Sequence, residues 1–122
     1  SEANKDKSRR ARLARFFSSF SRINNLVIHS FYDPHVFNLT MSTLGNLHIE
    51  RIEVFTMNFD KDTQKSIVKF TEKHNIRYVT IFAPKCNQDQ LQPFLTNLSK
   101  LGASVNIYER VYNKQFHNQI FN

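Results

Sequence analysis

A short apolar motif recurs four times along this chain at nearly constant spacing, and this repeat constrains the fold more than any other feature. The four copies are Ile23-x-x-Leu26-x-Ile28, Ile49-x-x-Ile52-x-Val54, Ile76-x-x-Val79-x-Ile81 and the degenerate Gly102-x-x-Val105-x-Ile107. The middle residues of successive copies are 26, 27 and 26 positions apart. A period of this length predicts a stack of similar units, because one unit of this size cannot bury an apolar face alone.

Each of the first three motif copies is followed by a helix-start signal and then by apolar residues at helical spacing. The start signals are Asp33-Pro34, Asp60, and Asn87 with Gln90. Three aligned apolar residues, each thirteen positions after the end of a motif, are Met41, Ile67 and Phe94. Identical units joined by helices require parallel strands. We therefore predict an α/β fold, a short stack of four parallel strand-loop-helix units.

The net charge of +7 is concentrated at the start of the chain. Residues 1–22 hold seven basic and two acidic side chains, whereas the remaining hundred residues are nearly neutral. The segment also carries an apolar stripe at i, i+3, i+4 and i+7, formed by Leu13, Phe16, Phe17 and Phe20. This pattern predicts a helix that caps the first repeat unit and keeps its arginines in solvent.

The division of the chain into domains follows from the same patterns. We predict that residues 1–10 form a disordered basic leader and that residues 11–122 form a single α/β repeat domain. The last stretch, from Val111 to Asn122, carries Phe116, Ile120 and Phe121 without completing another unit. It is therefore interpreted as a degenerate cap or the start of a further unit, which favours a fragment of a longer protein.

The spacing of the motif resembles the L-x-x-L-x-L core of leucine-rich repeats, and the period lies in the range of that family. The chain departs from the family where its Asn or Cys ladder should follow, since Phe31, Met57 and Pro84 occupy those positions. Without that ladder we expect a compact, irregular stack in place of a regular arc.

The segment from Ile49 to Glu109 also resembles the FTH-type domains that follow F-boxes in nematode proteins. In those domains short strands alternate with helices that carry the pattern Q-x-Q-L-x-x-x-L-x-x-L. The matching residues here are Gln88, Gln90, Leu91, Leu95 and Leu98. The resemblance implies a non-enzymatic protein–protein recognition module, the partner-binding region of an adaptor, although this chain contains no F-box.

Side chains between the motif positions point to the other face of the predicted sheet and form three rows across the strands. The rows are Asn25, Arg51, Tyr78, Ser104; Val27, Glu53, Thr80, Asn106; and His29, Phe55, Phe82, Tyr108. If this face is open, it offers a partner protein a set of aromatic anchors flanked by charge. The predicted partner-binding residues are Arg51, Glu53, Phe55, Tyr78, Phe82 and Tyr108. The alternative is that helices cover both faces and the rings belong to the core.

RNA or DNA binding is the alternative function, indicated by two groups of basic residues. The first group is Arg9, Arg10, Arg12 and Arg15, and the second is Lys61, Lys65, Lys69 and Lys73 at i, i+4 spacing along one helix. In this hypothesis they contact phosphates while single-stranded RNA bases stack on the aromatic row. The default explanation for both groups is a solvated helix face, which for the arginines belongs to the helix that caps the first unit.

Catalytic and metal-binding patterns find little support in the sequence. Asp33, Asp60, Asp62 and Asp89 follow strand ends, but those positions suit helix caps and first-turn acids. The one histidine at a position equivalent to that of Cys86 is His35, two units away, and the five histidines lack metal-ligand spacing. We therefore predict no enzyme, cofactor, metal or small-molecule substrate. A single cysteine and the lack of a membrane-spanning run favour a cytoplasmic or nuclear protein.

Overall fold

Helices and strands alternate along the chain in the computed structural model, which describes residues 2–30, 34–84, 86 and 88–109. The elements are α1 (Glu2–Phe17), β1 (Arg22–Ser30), α2 (Pro34–Thr43), β2 (His48–Thr56), α3 (Lys61–His74), β3 (Tyr78–Ala83), α4 (Gln88–Lys100) and β4 (Ser104–Glu109). The strands form one parallel sheet in the order β1-β2-β3-β4. The predicted α/β class and parallel strand-helix alternation are confirmed, and the segment expected to follow β4 lies outside the described residues.

The motif residues form the covered face of this sheet. Ile52 and Val79, in the middle of their motifs, are essentially inaccessible to solvent. They share one apolar core with Phe37 of α2, Ile67 of α3 and Phe94 of α4. The strand order follows the chain order, and right-handed crossovers then place successive helices on the same side. The three crossover helices therefore form a single layer over one face.

The crossover helices begin and end with local signals that the sequence carries. The Asp60 carboxylate accepts a hydrogen bond from the Thr63 backbone N–H at 2.8 Å and caps the start of α3. Beyond the C-termini of α2, α3 and α4 the chain reverses at Gly45, Asn75 and Gly102, all with left-handed backbone angles. Glycine and asparagine are the residues that tolerate this conformation, so each helix stops close to where its return to the sheet begins.

A buried histidine joins the end of α3 to the segment before β2. His74 is almost fully buried, and its Nδ1–H donates to the Leu47 carbonyl at 2.6 Å. Within the described residues its buried Nε2 has no hydrogen-bond partner. Burial is the main reason that the pKa of His74 lies below its ordinary value of 6.5.

Helix α1 differs from the prediction at both ends. Residues 2–10, expected to form a disordered leader, are helical, because Ala, Lys and Arg favour helix and no Gly or Pro interrupts them. The Asp6 carboxylate Oδ2 lies 3.0 Å from Nε2 of His35 on α2. Only part of the predicted stripe is covered, since Phe17 packs on the core whereas Phe16 remains 53% exposed. Nowhere in the described ranges does a helix combine the length and apolar character that crossing a membrane requires.

Candidate recognition surface

The face of the sheet opposite the helices carries the three predicted rows of side chains. The strand register pairs Val27 with Glu53, Glu53 with Thr80 and Thr80 with Asn106, and the two flanking rows align in the same way. Most side chains in these rows are exposed or half-buried. Among the described residues no helix packs on this face, because α2, α3 and α4 all contribute to the single core on the other side of the sheet. The crossover helices are therefore not divided between the two faces.

The row nearest the carboxyl ends of the strands is a continuous stack of four rings. The ring centres of His29 and Phe55 are 4.2 Å apart, and their planes differ by 7°. The ring centres of Phe55 and Phe82 are also 4.2 Å apart, with an angle of 8° between the planes. Tyr108 continues the stack at 5.2 Å from Phe82 and 17°. The sequence pattern predicts this row, but the predicted partner-binding residues did not include His29. Its position, directly after the last residue of a motif copy, is the same as that of the other three rings.

The stacking geometry determines which part of each ring meets solvent. Parallel strands in register place equivalent side chains beside one another, and the rings lie nearly parallel. The faces of Phe55 and Phe82 are therefore covered by their neighbours, and their outer edges are turned away from the sheet. Aromatic edges carry partial positive charge, whereas the faces are negative. The row thus presents an array of positive ring edges, flanked at one end by the exposed Tyr108.

Polar contacts organise the two rows beside the rings. The Arg51 guanidinium lies 4.8 Å from the centre of the Tyr78 ring, in a cation–π arrangement. The Asn25 side-chain amide donates to the Glu53 carboxylate at 3.3 Å. Thr80, between the rings and Tyr78, is buried by its neighbours although none of the described helices covers it. Arg51 and Glu53 hence place one positive and one negative charge on the open face.

The two predicted basic groups lie away from this face and away from each other. Arg9 and Arg12 of α1 line an apolar cleft against α2 together with Phe16 and Leu39. Arg10 and Arg15 are exposed elsewhere on α1. The lysines Lys61, Lys65 and Lys69 lie on α3, which packs against α4. The arginines and lysines therefore belong to different helix pairs.

Of the aspartates and the cysteine that follow strand ends, Asp60 and Cys86 make contacts typical of residues that stabilise a fold. Asp60 caps α3, and the Thr63 backbone N–H is the main reason that the pKa of Asp60 is lowered. Burial raises the pKa of the Cys86 thiol, whose Sγ lies 3.1 Å from the Pro84 carbonyl oxygen. A raised pKa disfavours the nucleophilic thiolate. Asp33 lies outside the described residues, and among those described no three His, Cys, Asp or Glu side chains converge to hold a metal.

No family model, curated protein or solved structure matches this chain. The resemblances to leucine-rich repeats and to FTH-type domains therefore stay predictions based on the repeat and on the helical pattern. The geometry of the molecule itself supplies the grounds for a functional proposal.

Proposed function

We propose that this protein is a non-enzymatic recognition module that binds another protein on the open face of its sheet. The anchors are Phe55, Phe82, Tyr78 and Tyr108, with Arg51 and Glu53 selecting the polarity of the partner. Such a surface suits the partner-binding region of an adaptor. We place the module in a reducing compartment, the cytoplasm or the nucleus, because its one cysteine leaves it without an internal disulfide.

One observation carries the proposal: a parallel sheet with a stacked row of rings on a face that no described helix covers. Parallel sheets are ordinarily covered on both faces. Tyr78 and Tyr108, which are 41% and 53% exposed, combine apolar area with a hydroxyl, the combination favoured at protein interfaces. The rings are also held by their stack, so little side-chain freedom is lost on binding.

The chemistry of the surface indicates the kind of contact that it makes. Ring edges attract carbonyl and carboxylate oxygens and the faces of aromatic side chains. Arg51 and Glu53 add one charge of each sign, which favours a partner with matched opposite charges and penalises like-charged ones. We therefore propose a protein surface that offers aromatic or oxygen-rich groups to the rings and complementary charges to Arg51 and Glu53.

Nucleic-acid binding has weaker support from the same geometry. Bases stack on aromatic faces, and the faces of Phe55 and Phe82 are already covered by neighbouring rings. The arginines of α1 and the lysines of α3 lie on separate helix pairs on the other side of the sheet. Retention of labelled RNA or DNA pools that falls steeply between low and physiological salt would favour this alternative function.

Site-specific photo-crosslinking tests the proposed surface. A photoreactive side chain is placed at Asn106, on the open face beside the rings, in the full chain expressed in its source cells. We expect crosslinks to a small set of proteins, and we expect Tyr108→Ser combined with Tyr78→Ser to abolish them. Both tyrosines are exposed, so the double variant keeps its core, which circular dichroism verifies.

A photoreactive side chain at Lys100, exposed on α4, is the matched control. The proteins captured from Asn106 should be absent from the Lys100 capture. If the Asn106 crosslinks survive the double tyrosine substitution, or if both positions capture the same proteins, the open face is not the recognition surface.

A further inference from the structure

Helices α3 and α4 leave a groove between them on the side of the molecule opposite the rings. Its volume is about 480 Å³, and one wall is formed by Lys61, Lys65 and Lys69 of α3. Lys73 continues the same sequence spacing but does not line the groove. Within the part of the chain that the structure describes, no carboxylate forms an ion pair with the three lining lysines. The wall therefore carries three uncompensated positive charges along one helix.

The rest of the groove is uncharged. Its floor is apolar and consists of Val68, Pro93 and Phe94. The buried Phe94 packs edge-to-face against Phe59, with the two ring centres 5.1 Å apart. The second wall presents the amides of Gln90 and Asn97. A ligand seated here meets positive charge on one side, amide donors and acceptors on the other, and apolar surface beneath.

The spacing of the lining residues matches the side of a helix. On α4 they occur at i, i+3, i+4 and i+7, from Gln90 to Asn97, and on α3 the stripe from Lys61 to Val68 repeats the same spacing. Two adjacent helices that expose such stripes form a seam into which a third helix packs. The lysine wall from Lys61 to Lys69 is about 12 Å long, which corresponds to two or three turns of a bound helix.

We propose that this groove binds an acidic amphipathic helix of a partner protein. Its apolar side chains contact Val68 and Pro93 above the buried Phe94, and its carboxylates pair with Lys61, Lys65 and Lys69. The charge of the groove selects the occupant, because a basic or neutral helix leaves the lysine wall without partners. A nucleic-acid strand fits less well, since positive charge lies on one wall only and the floor is apolar. This interaction is separate from the open face and independent of what binds there.

Fluorescence anisotropy with a defined probe tests the groove. The probe is a labelled helical peptide of about 14 residues, roughly four turns, with Leu on one face and Glu along one side of that face. The scrambled peptide of the same composition has the same charge but no apolar face. At low salt the 122-residue chain should bind the amphipathic peptide at least about tenfold more tightly than the scrambled one, because only the amphipathic peptide fills the groove.

Two double variants with the same change in net charge distinguish binding in the groove from nonspecific electrostatic attraction of the acidic peptide to the basic protein. Lys65→Gln with Lys69→Gln removes charge from the groove, whereas Lys73→Gln with Lys100→Gln removes it from the same two helices outside the groove. We expect the first pair to weaken peptide binding roughly fivefold to tenfold and the second less than about twofold. All four lysines are exposed, so both proteins should unfold at the wild-type temperature.

Three results overturn the proposal. They are equal weakening by the two double variants, equal binding of the amphipathic and scrambled peptides, and no binding of either peptide at low salt. A single-stranded oligothymidylate of about 20 nucleotides is measured in parallel. If it binds and loses affinity in the groove variant while the peptide does not bind, the lysines of α3 form a nucleic-acid contact and the peptide groove is wrong.

Discussion

The two faces of the sheet are built from alternate residues of the same strands, but they differ in almost every physical respect. The covered face holds β-branched aliphatic side chains that are almost completely removed from water, such as Ile52 and Ile81. The open face holds rings, charges and hydroxyls that remain partly accessible, such as Arg51 and Tyr108. The first face thus supplies most of the stability of the fold, and the second, which no described helix covers, is the face on which we propose that a partner binds.

The largest expected effect is on the covered face. Ile52→Ala removes a fully buried side chain from the core and should lower the free energy of unfolding by about 2–5 kcal/mol. Val27→Ala, on the open face, is the matched control. Because Val27 is 44% exposed, this substitution should lower the free energy of unfolding by less than about 1 kcal/mol. Urea denaturation measures both. Equal losses would mean that the two faces do not differ in their contribution to stability.

The second expected effect is a pH dependence of stability caused by the burial of His74 on the covered side of the sheet. Because burial lowers the pKa of His74, the unfolded chain binds a proton below about pH 6.5 that the folded chain does not bind. The free energy of unfolding should therefore fall as the pH drops below 6.5, by up to about 1.4 kcal/mol per pH unit, until the lowered pKa is reached.

His74→Gln keeps an amide that can donate to the Leu47 carbonyl but removes the titrating group. Whatever its stability at neutral pH, this variant should show a shallower decline between pH 6.5 and 5, measured by denaturation at each pH. An unchanged slope in His74→Gln would assign the acid sensitivity to other groups.

A smaller effect is expected within the ring row, which contributes to the stability of the sheet and belongs to the proposed recognition surface. A double-mutant cycle with Phe55→Leu and Phe82→Leu should give a coupling of about 0.5–1.5 kcal/mol, because these rings stack directly. The pair Phe55→Leu and Tyr108→Leu is the control within the same row, since Phe82 separates the two rings. A coupling in the control as large as that of the stacked pair would show that the row does not act through neighbouring contacts.

The smallest effect belongs to the exposed charge on the open face. Tyr78→Leu should lower the free energy of unfolding by only about 0.5 kcal/mol, the value of a solvent-exposed cation–π contact with Arg51. Arg51→Leu should have a similar effect, and the double variant should be no less stable than the less stable single variant. Additive losses in a thermal or chemical denaturation series would show that the two side chains do not interact.

Local patterns were sufficient to predict much of the fold and the alignment of side chains on the candidate recognition surface. The alignment of Phe55 with Phe82 follows from their equal offsets from the motif, and the cap at Asp60 follows from its place before an apolar helical pattern. The groove between α3 and α4 was not predicted, because Lys65 and Asn97 belong to separate helices whose packing no local pattern specifies. The burial of His74 was missed for the same reason, since Leu47 lies on another segment of the chain.

The sequence by itself determined the number of strands, their parallel order and the three rows of side chains, because these depend on a repeat length and on the alternation of residues along a strand. Only the tertiary structure decided that α2, α3 and α4 share one layer and that the rings of the open face stack on one another. Those features arise from the packing of segments far apart in the chain, which determines what each side chain meets.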